Sequence, residues 1–326
     1  MLPAKLEKVL LWIIYVCSGF ILLVLPLLVV NSTPFPALFP KAICFQILIE
    51  ICAGAWLILL LDKKYRPNWK NQILKSQTIF LVVLIVTALA GIDPERSFFS
   101  TYERMTGIVA FIHVWLWFLI LQTTVKNKSV WRIFIGLSLI STLCVDLSTI
   151  WGWLNYNVRL GTFSNTNYLA VFLLINFFLG LYLQKSGSIT NSNVADKWIK
   201  RLLNVFLVLT VFTIILIASR GGFLALVVSL LIYGIYSAVS LPSRTQRKTW
   251  LGLIISVSLL ASLSYGVLNF TQFGARFLNN IPVAAKRVIY HPFQDKNRSE
   301  MWKMAWLGFK DHPVLGWGLE NFNESL

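Results

Sequence analysis

Residues 202–241 read LLNVFLVLTVFTIILIASRGGFLALVVSLLIYGIYSAVSL. The two apolar runs in it, 202–218 and 222–241, are each near the roughly 20 residues that a helix needs to cross the hydrocarbon core of a bilayer. The connection is Ser219-Arg220-Gly221-Gly222, whose last residue already opens the second run. So short a connection predicts a tight helical hairpin, with its one charge kept at the membrane surface. The fold class follows from this stretch: antiparallel helices in lipid.

The rest of the chain repeats the pattern. Of its 326 residues 57% are hydrophobic and 13% charged, with a mean hydropathy of +0.70, which excludes a pair of soluble domains. Further apolar runs near 9–30, 41–61, 77–92, 107–125, 130–151, 165–184 and 250–268 bring the predicted spans to nine. The third and seventh are short and are expected to borrow flanking residues. The first is too long for a signal peptide, lacks an A-x-A-like cleavage site, and is read as retained. The expected architecture is all-α, a polytopic membrane bundle of about nine transmembrane helices over residues 1–269, followed by an extramembranous segment, 270–326.

Net charge +16 does not point to nucleic acid, because the basic residues are scattered between apolar runs rather than massed on one wet surface. Cys17, Cys44, Cys52 and Cys144 all lie within runs, without metal-ligand spacing. Neither a disulfide framework nor a zinc site is indicated.

Basic residues set the orientation, since cytoplasmic loops keep an excess of Lys and Arg. With the N-terminus inside, inner segments hold 17 of them and the short outer ones five, namely Lys41, Arg96, Arg104, Arg159 and Arg220. Nine spans then place 270–326 outside. In that segment Met301, Trp302, Ala305, Trp306 and Phe309 recur at helical spacing, which predicts an amphipathic helix near 298–310 on the outer membrane surface. Pro313 and the turn Gly316-Trp317-Gly318 predict its end near Asp311. The chain closes on Asn323-Glu324-Ser325-Leu326 without a tenth span, and a C-terminal truncation is expected.

Three of the outer arginines share a context. Arg104, Arg159 and Arg220 each precede a helix predicted to run from outside to inside, accompanied by Gly107, by Gly161 with Ser164, Asn165 and Asn167, and by Gly221 and Gly222. A helix that starts at the outer face directs free N–H groups and its positive dipole end there, which is an anion site before any side chain is added. Glycine lets backbone approach a ligand closely, Ser164 or Asn165 can cap the sixth span, and Arg offers a planar fork to two phosphate oxygens. The implied ligand is a phosphate or diphosphate carried at the membrane surface. The competing reading is plain snorkelling of each arginine to lipid headgroups or pairing with Glu103 or Asp93.

Ionisable residues within spans are costly and therefore candidates. His113 and Asp146 lie at similar depth toward the outer side and are expected to pair or to line one outer cavity; Glu50, near the middle of the second span, reads as a packing residue. His291 and His312 are the other candidate bases, each before a proline. No phosphate-binding loop, dinucleotide fingerprint or metalloprotease motif occurs, and Asp93, Glu95 and Glu103 are interleaved with Arg96 and Arg104 instead of clustering for a metal. No metal or cofactor is expected.

Glu103-Arg104-x-x-Gly107, the run Gly161 to Ala170, Ser219-Arg220-Gly221-Gly222, and Arg298-x-x-x-Trp302 leading to Pro313-x-x-Gly316-x-Gly318 occur in this order. Together, over roughly residues 90–322, they make the chain resemble the O-antigen ligase and O-antigen polymerase family. The resemblance implies a bacterial inner-membrane glycosyltransferase of about twelve spans with a large periplasmic loop after the ninth. It implies transfer of a glycan from undecaprenyl diphosphate to an acceptor hydroxyl on a glycolipid, a glycan or a protein. It assigns diphosphate binding to outer arginines, matched here by Arg159 and Arg220 and, less closely, Arg104. It places a catalytic His followed by Asn late in the periplasmic loop, beyond Leu326, so that role does not pass to His312. The alternatives are a lipid-linked glycan or anion transporter (a flippase), for which discontinuous spans and repeated halves are expected, and an inactive remnant.

Overall fold

The computed structural model describes residues 2–186, 193–239, 248 and 296–322, and among these it is wholly helical. Ten α-helices follow in order: α1 Ala4–Leu23, α2 Phe39–Leu59, α3 Gln72–Leu89, α4 Pro94–Phe99, α5 Ile108–Thr124, α6 Lys128–Tyr156, α7 Thr166–Lys185, α8 Asn193–Leu216, α9 Arg220–Val239 and α10 Lys296–Asp311. Seven of them are long and apolar enough to cross a membrane, and α5 is an apolar helix of 17 residues. These eight coincide with the first eight predicted spans. The ninth, 250–268, lies outside the described residues.

Local chemistry explains the ends. Asn71, Asn127 and Asn165 each accept a hydrogen bond from the backbone N–H two residues on, and Asp93 accepts from Arg96, so each caps the helix it precedes. α1 stops at Leu23, earlier than its apolar run suggests, because Pro26 follows within a short 3-10 turn, Leu25–Leu27. α6 continues to Tyr156, beyond the predicted 151, and ends on Asn157 in the left-handed conformation. α8 begins at Asn193, about two turns before the predicted 202, which is how the short seventh span acquires its length.

Two packed groups form the bundle. α1, α2 and α5 enclose one core around Ile14, Cys52, Trp56, Leu59 and Ile120, with Leu74 of α3 at its edge. α6, α7, α8 and α9 enclose the other around Val145, Leu169, Leu173, Phe177, Ile214 and Leu226. α6 joins them by also packing on α1. It is the most enclosed span, 44% buried over its apolar window, whereas α3 is 11% buried and lies at the periphery.

Lipid removes much of the hydrophobic drive between helices, so polar contacts between them matter more. Trp56 Nε1 donates to Thr123 Oγ1 (2.9 Å), Trp117 Nε1 to Ser18 Oγ (3.2 Å) and Ser138 Oγ to Asn176 Oδ1 (2.6 Å). On the face that carries the N-terminus, Tyr65 donates to Glu7 (2.9 Å) beside the Lys64–Glu7 ion pair (2.7 Å). Burial first, and then that bond to Glu7, push the Tyr65 phenol up and keep it a donor.

The loops 28–38, 90–107 and 157–165 lie on the opposite face, termed here the far face. The segment after α10 returns to it: Ile92 N donates to Trp317 O (3.2 Å) and Ser97 Oγ to Leu319 O (2.7 Å). α10 ends at Asp311 as the proline and glycine signals predict, with Trp302, Trp306 and Phe309 exposed along it.

Candidate functional site at the far face

The site is built from helix starts. Asn165, in extended conformation, caps α7 by accepting from Asn167 N at 2.7 Å. Asn167 Oδ1 in turn accepts from Ser219 Oγ at 2.7 Å, and Ser219 Oγ accepts from Gly222 N at 3.2 Å, which caps α9. A Cβ on Gly222 would stand 2.5 Å from the Ala170 Cβ. Only glycine lets the two helices meet this closely. The amino ends of α7 and α9 therefore abut on one face, and their unpaired N–H groups make one joint positive region.

Arg220 is the first residue of α9, at this junction, while its side chain lies outside what is described. Gly221 beside it has open space where a side chain would be. Arg104 is 64% exposed and lines two adjoining cavities. One, about 700 Å³, is bounded by Phe35, Glu103, Ser164, Asn165 and Tyr168. The other, about 330 Å³, is bounded by Lys41, Gln46, Thr106, Phe163 and Tyr168. Arg104 thus shares a cleft with the start of α7, which in turn touches the start of α9.

Arg159 lines neither cavity. It is half-buried in the loop 157–165, and its Nε is enclosed with no hydrogen-bond partner among the described residues. Of the predicted ligands, Arg104, Asn165, Asn167, Gly221, Gly222 and the backbone of Arg220 come together; Arg159 stands earlier in the loop that leads to Asn165 and lines neither cavity.

The expected pairing of His113 with Asp146 is not observed. His113 Nδ1 lies 2.7 Å from Val109 O on its own helix, and its Nε2 is 3.5 Å from Glu50 Oε1 on α2. Asp146 is fully buried between α6 and α8, where Thr210 Oγ1 donates to its Oδ2 at 2.8 Å. The physical reason is rotation: each residue turns a helix by 100°, so equal depth leaves facing undetermined. Glu50, read from the sequence as a protonated or hydrogen-bonded packing residue, does have a polar partner in His113, but its side chain is 67% exposed and not packed in a core. His312 sets its ring against Trp317, 4.2 Å between centroids, within the turn after α10. His291 lies outside the described residues.

Two residues join the site that sequence reasoning did not assign to it. Lys41 Nζ donates to Pro26 O (2.8 Å) and Thr162 O (2.7 Å) and stands 4.3 Å from the Phe163 ring centroid. It ties the turn after α1 to the loop before α7. The available signal was its place among the five outer cations. Lys41→Met strips Thr162 O of its donor and leaves Pro26 O with the Thr162 Oγ1 bond alone (2.8 Å), and we expect a stability loss of about 1–3 kcal/mol, read as a lower unfolding midpoint in detergent; an unchanged midpoint would show that water replaces the ammonium. The second residue is Glu320, whose Oε2 stands 3.7 Å from Arg104 Nη1.

In comparison with known protein families, residues 205–326 match the model described as O-antigen ligase. No curated protein and no solved structure matches the chain. The matched region begins within α8 and contains the α8–α9 junction with Ser219-Arg220-Gly221-Gly222, α10 and the turn that follows it.

Proposed function

Taking the chain as a member of the O-antigen ligase family, which the match over residues 205–326 supports, we propose that it transfers a glycan from undecaprenyl diphosphate to an acceptor hydroxyl. Family and spans together indicate a bacterial membrane glycosyltransferase of the ligase or polymerase type. The carrier, the bacterial inner membrane as its location and the periplasmic side as its active face are our reading. We assign the far face to that side, because the described cations of the inner segments, among them Lys5, Lys8, Lys63, Lys64, Lys126 and Lys128, lie at the other ends of the helices.

One observation carries the proposal: the amino ends of α7 and α9 meet beside a cleft that holds Arg104 and Lys41. In the reaction the acceptor oxygen bonds to the sugar C1 as the bond from C1 to the diphosphate oxygen breaks, and the hydroxyl proton leaves to water. Negative charge grows on the departing lipid diphosphate. Fixed N–H groups and guanidinium groups aimed at that charge lower the barrier without having to reorganise. Arg220 and Arg104 are the cations proposed for this, with Gly221, Gly222, Asn165 and Asn167 shaping the helix ends; Arg159, expected as a third, lines neither cavity of the cleft. Because these groups supply the neutralising charge, the proposed transfer needs no metal.

Transport is the less favoured reading, since among the described residues the spans are continuous helices and the cationic cleft opens at one face. The test is reconstitution of the full-length protein with an undecaprenyl-diphosphate-linked glycan and an acceptor glycolipid. We expect glycan on the acceptor and free undecaprenyl diphosphate, at a rate that EDTA leaves unchanged. Glycolipid that crosses the bilayer without losing its glycan would contradict the proposal.

A further inference from the structure

The segment after α10 is fastened onto the far-face loops with unusual completeness. Asn321 is fully buried, and its Nδ2 donates toward Asp93 O (3.2 Å), Ser97 Oγ (3.2 Å) and Trp317 O (3.1 Å). Gly91 and Gly318 press together so closely that a Cβ on Gly91 would lie 2.6 Å from Trp317 O. Between these anchors Glu320 is held at φ +64°, a left-handed conformation that residues with a side chain avoid.

Strain of this kind persists where the surroundings impose it, and here it has a result. The Glu320 carboxylate, only 11% exposed, is directed back at the loop between α4 and α5. Its Oε1 accepts from Thr106 Oγ1 at 2.8 Å and its Oε2 faces Arg104 Nη1 at 3.7 Å. An ion pair of that length beside an exposed arginine holds little by itself. Together with the Thr106 bond it fixes two residues of one loop and leaves most of the guanidinium open to the cleft.

We infer that Glu320 is a positioning residue of the anion site, a carboxylate that a strained turn aims so that Arg104 is presented to the diphosphate. The inference rests on the reading of Arg104 as a diphosphate ligand. Glu320 never touches the diphosphate; it acts through Thr106 and Arg104. The region matched to the O-antigen ligase family is thereby coupled to a loop more than 200 residues earlier in the chain.

Glu320→Gly separates the carboxylate from the turn, because glycine accepts φ near +60° without strain. In the full-length protein we expect E320G to melt no lower than wild type, yet to bind farnesyl diphosphate in detergent about fivefold more weakly and to raise the donor KM in proportion, with kcat within about twofold. T106V should weaken binding in the same direction. Adding E320G to R104A should cost nothing further, since both act through one guanidinium. Wild-type binding by E320G, or penalties that multiply in R104A/E320G, would overturn the inference while leaving Arg104 as a ligand. Wild-type binding by R104A itself would remove Arg104 from the site and the role of Glu320 with it.

Discussion

Arg220→Ala in the full-length protein is expected to lower glycan transfer by about 10²–10³-fold while membrane insertion and yield stay at wild-type levels. The magnitude is that of removing one preorganised donor from a charge-stabilising site, about 2.7–4 kcal/mol. Insertion should survive because the α9 cap does not use Arg220: Ser219 Oγ accepts from Gly222 N and is itself tied to Asn167. Arg220→Lys should recover only part of the rate, since an ammonium offers a point charge where the guanidinium offers a fork for two phosphate oxygens. Steady-state transfer by reconstituted variants measures this directly, and a wild-type rate in R220A would refute the role.

Gly222→Ala should be nearly as damaging, although it adds one methyl group. That methyl would sit 2.5 Å from the Ala170 Cβ, a separation real side chains do not tolerate, so the amino ends of α7 and α9 must move apart. Overpacking of this sort costs about 1–3 kcal/mol in stability. The larger effect falls on activity, about 10²-fold, because a shift near 1 Å in a positioning group has that consequence. The compensating exchange is available: A170G with G222A moves the methyl to the other helix and should restore transfer to within a few fold. A fully active G222A, or a double variant as poor as the single, would show that the close approach of α7 and α9 is not what aligns the site.

These two positions also show what was legible in the sequence. Gly222 beside Arg220 in a four-residue connection signals a close approach, and Asn165 before an apolar run signals a cap, because both depend on neighbours in the chain. Long apolar runs likewise locate eight helices, since span length is imposed by the bilayer and not by tertiary detail. What depends on the rotation of one helix against another was not legible. His113 meets Glu50, and Asp146 meets Thr210, although similar depth suggested that His113 and Asp146 would meet each other. Lys41 counted only as an outer cation until the structure placed Pro26 and Thr162 around it. Glu320 gave no signal, because its bond to Thr106 joins residues 214 positions apart.

We propose that a lipid-borne diphosphate binds where α7 and α9 begin, between Arg104 and Arg220. A cryo-electron microscopy structure of the full-length protein with an undecaprenyl-diphosphate-linked glycan tests it most directly. We expect diphosphate density at the far face in the cleft bounded by Arg104 and Asn165, with phosphate oxygens about 3 Å from the Arg220 guanidinium. Diphosphate density on the face that carries the N-terminus, or at the far face with Arg104 and Arg220 both turned into lipid, would contradict it.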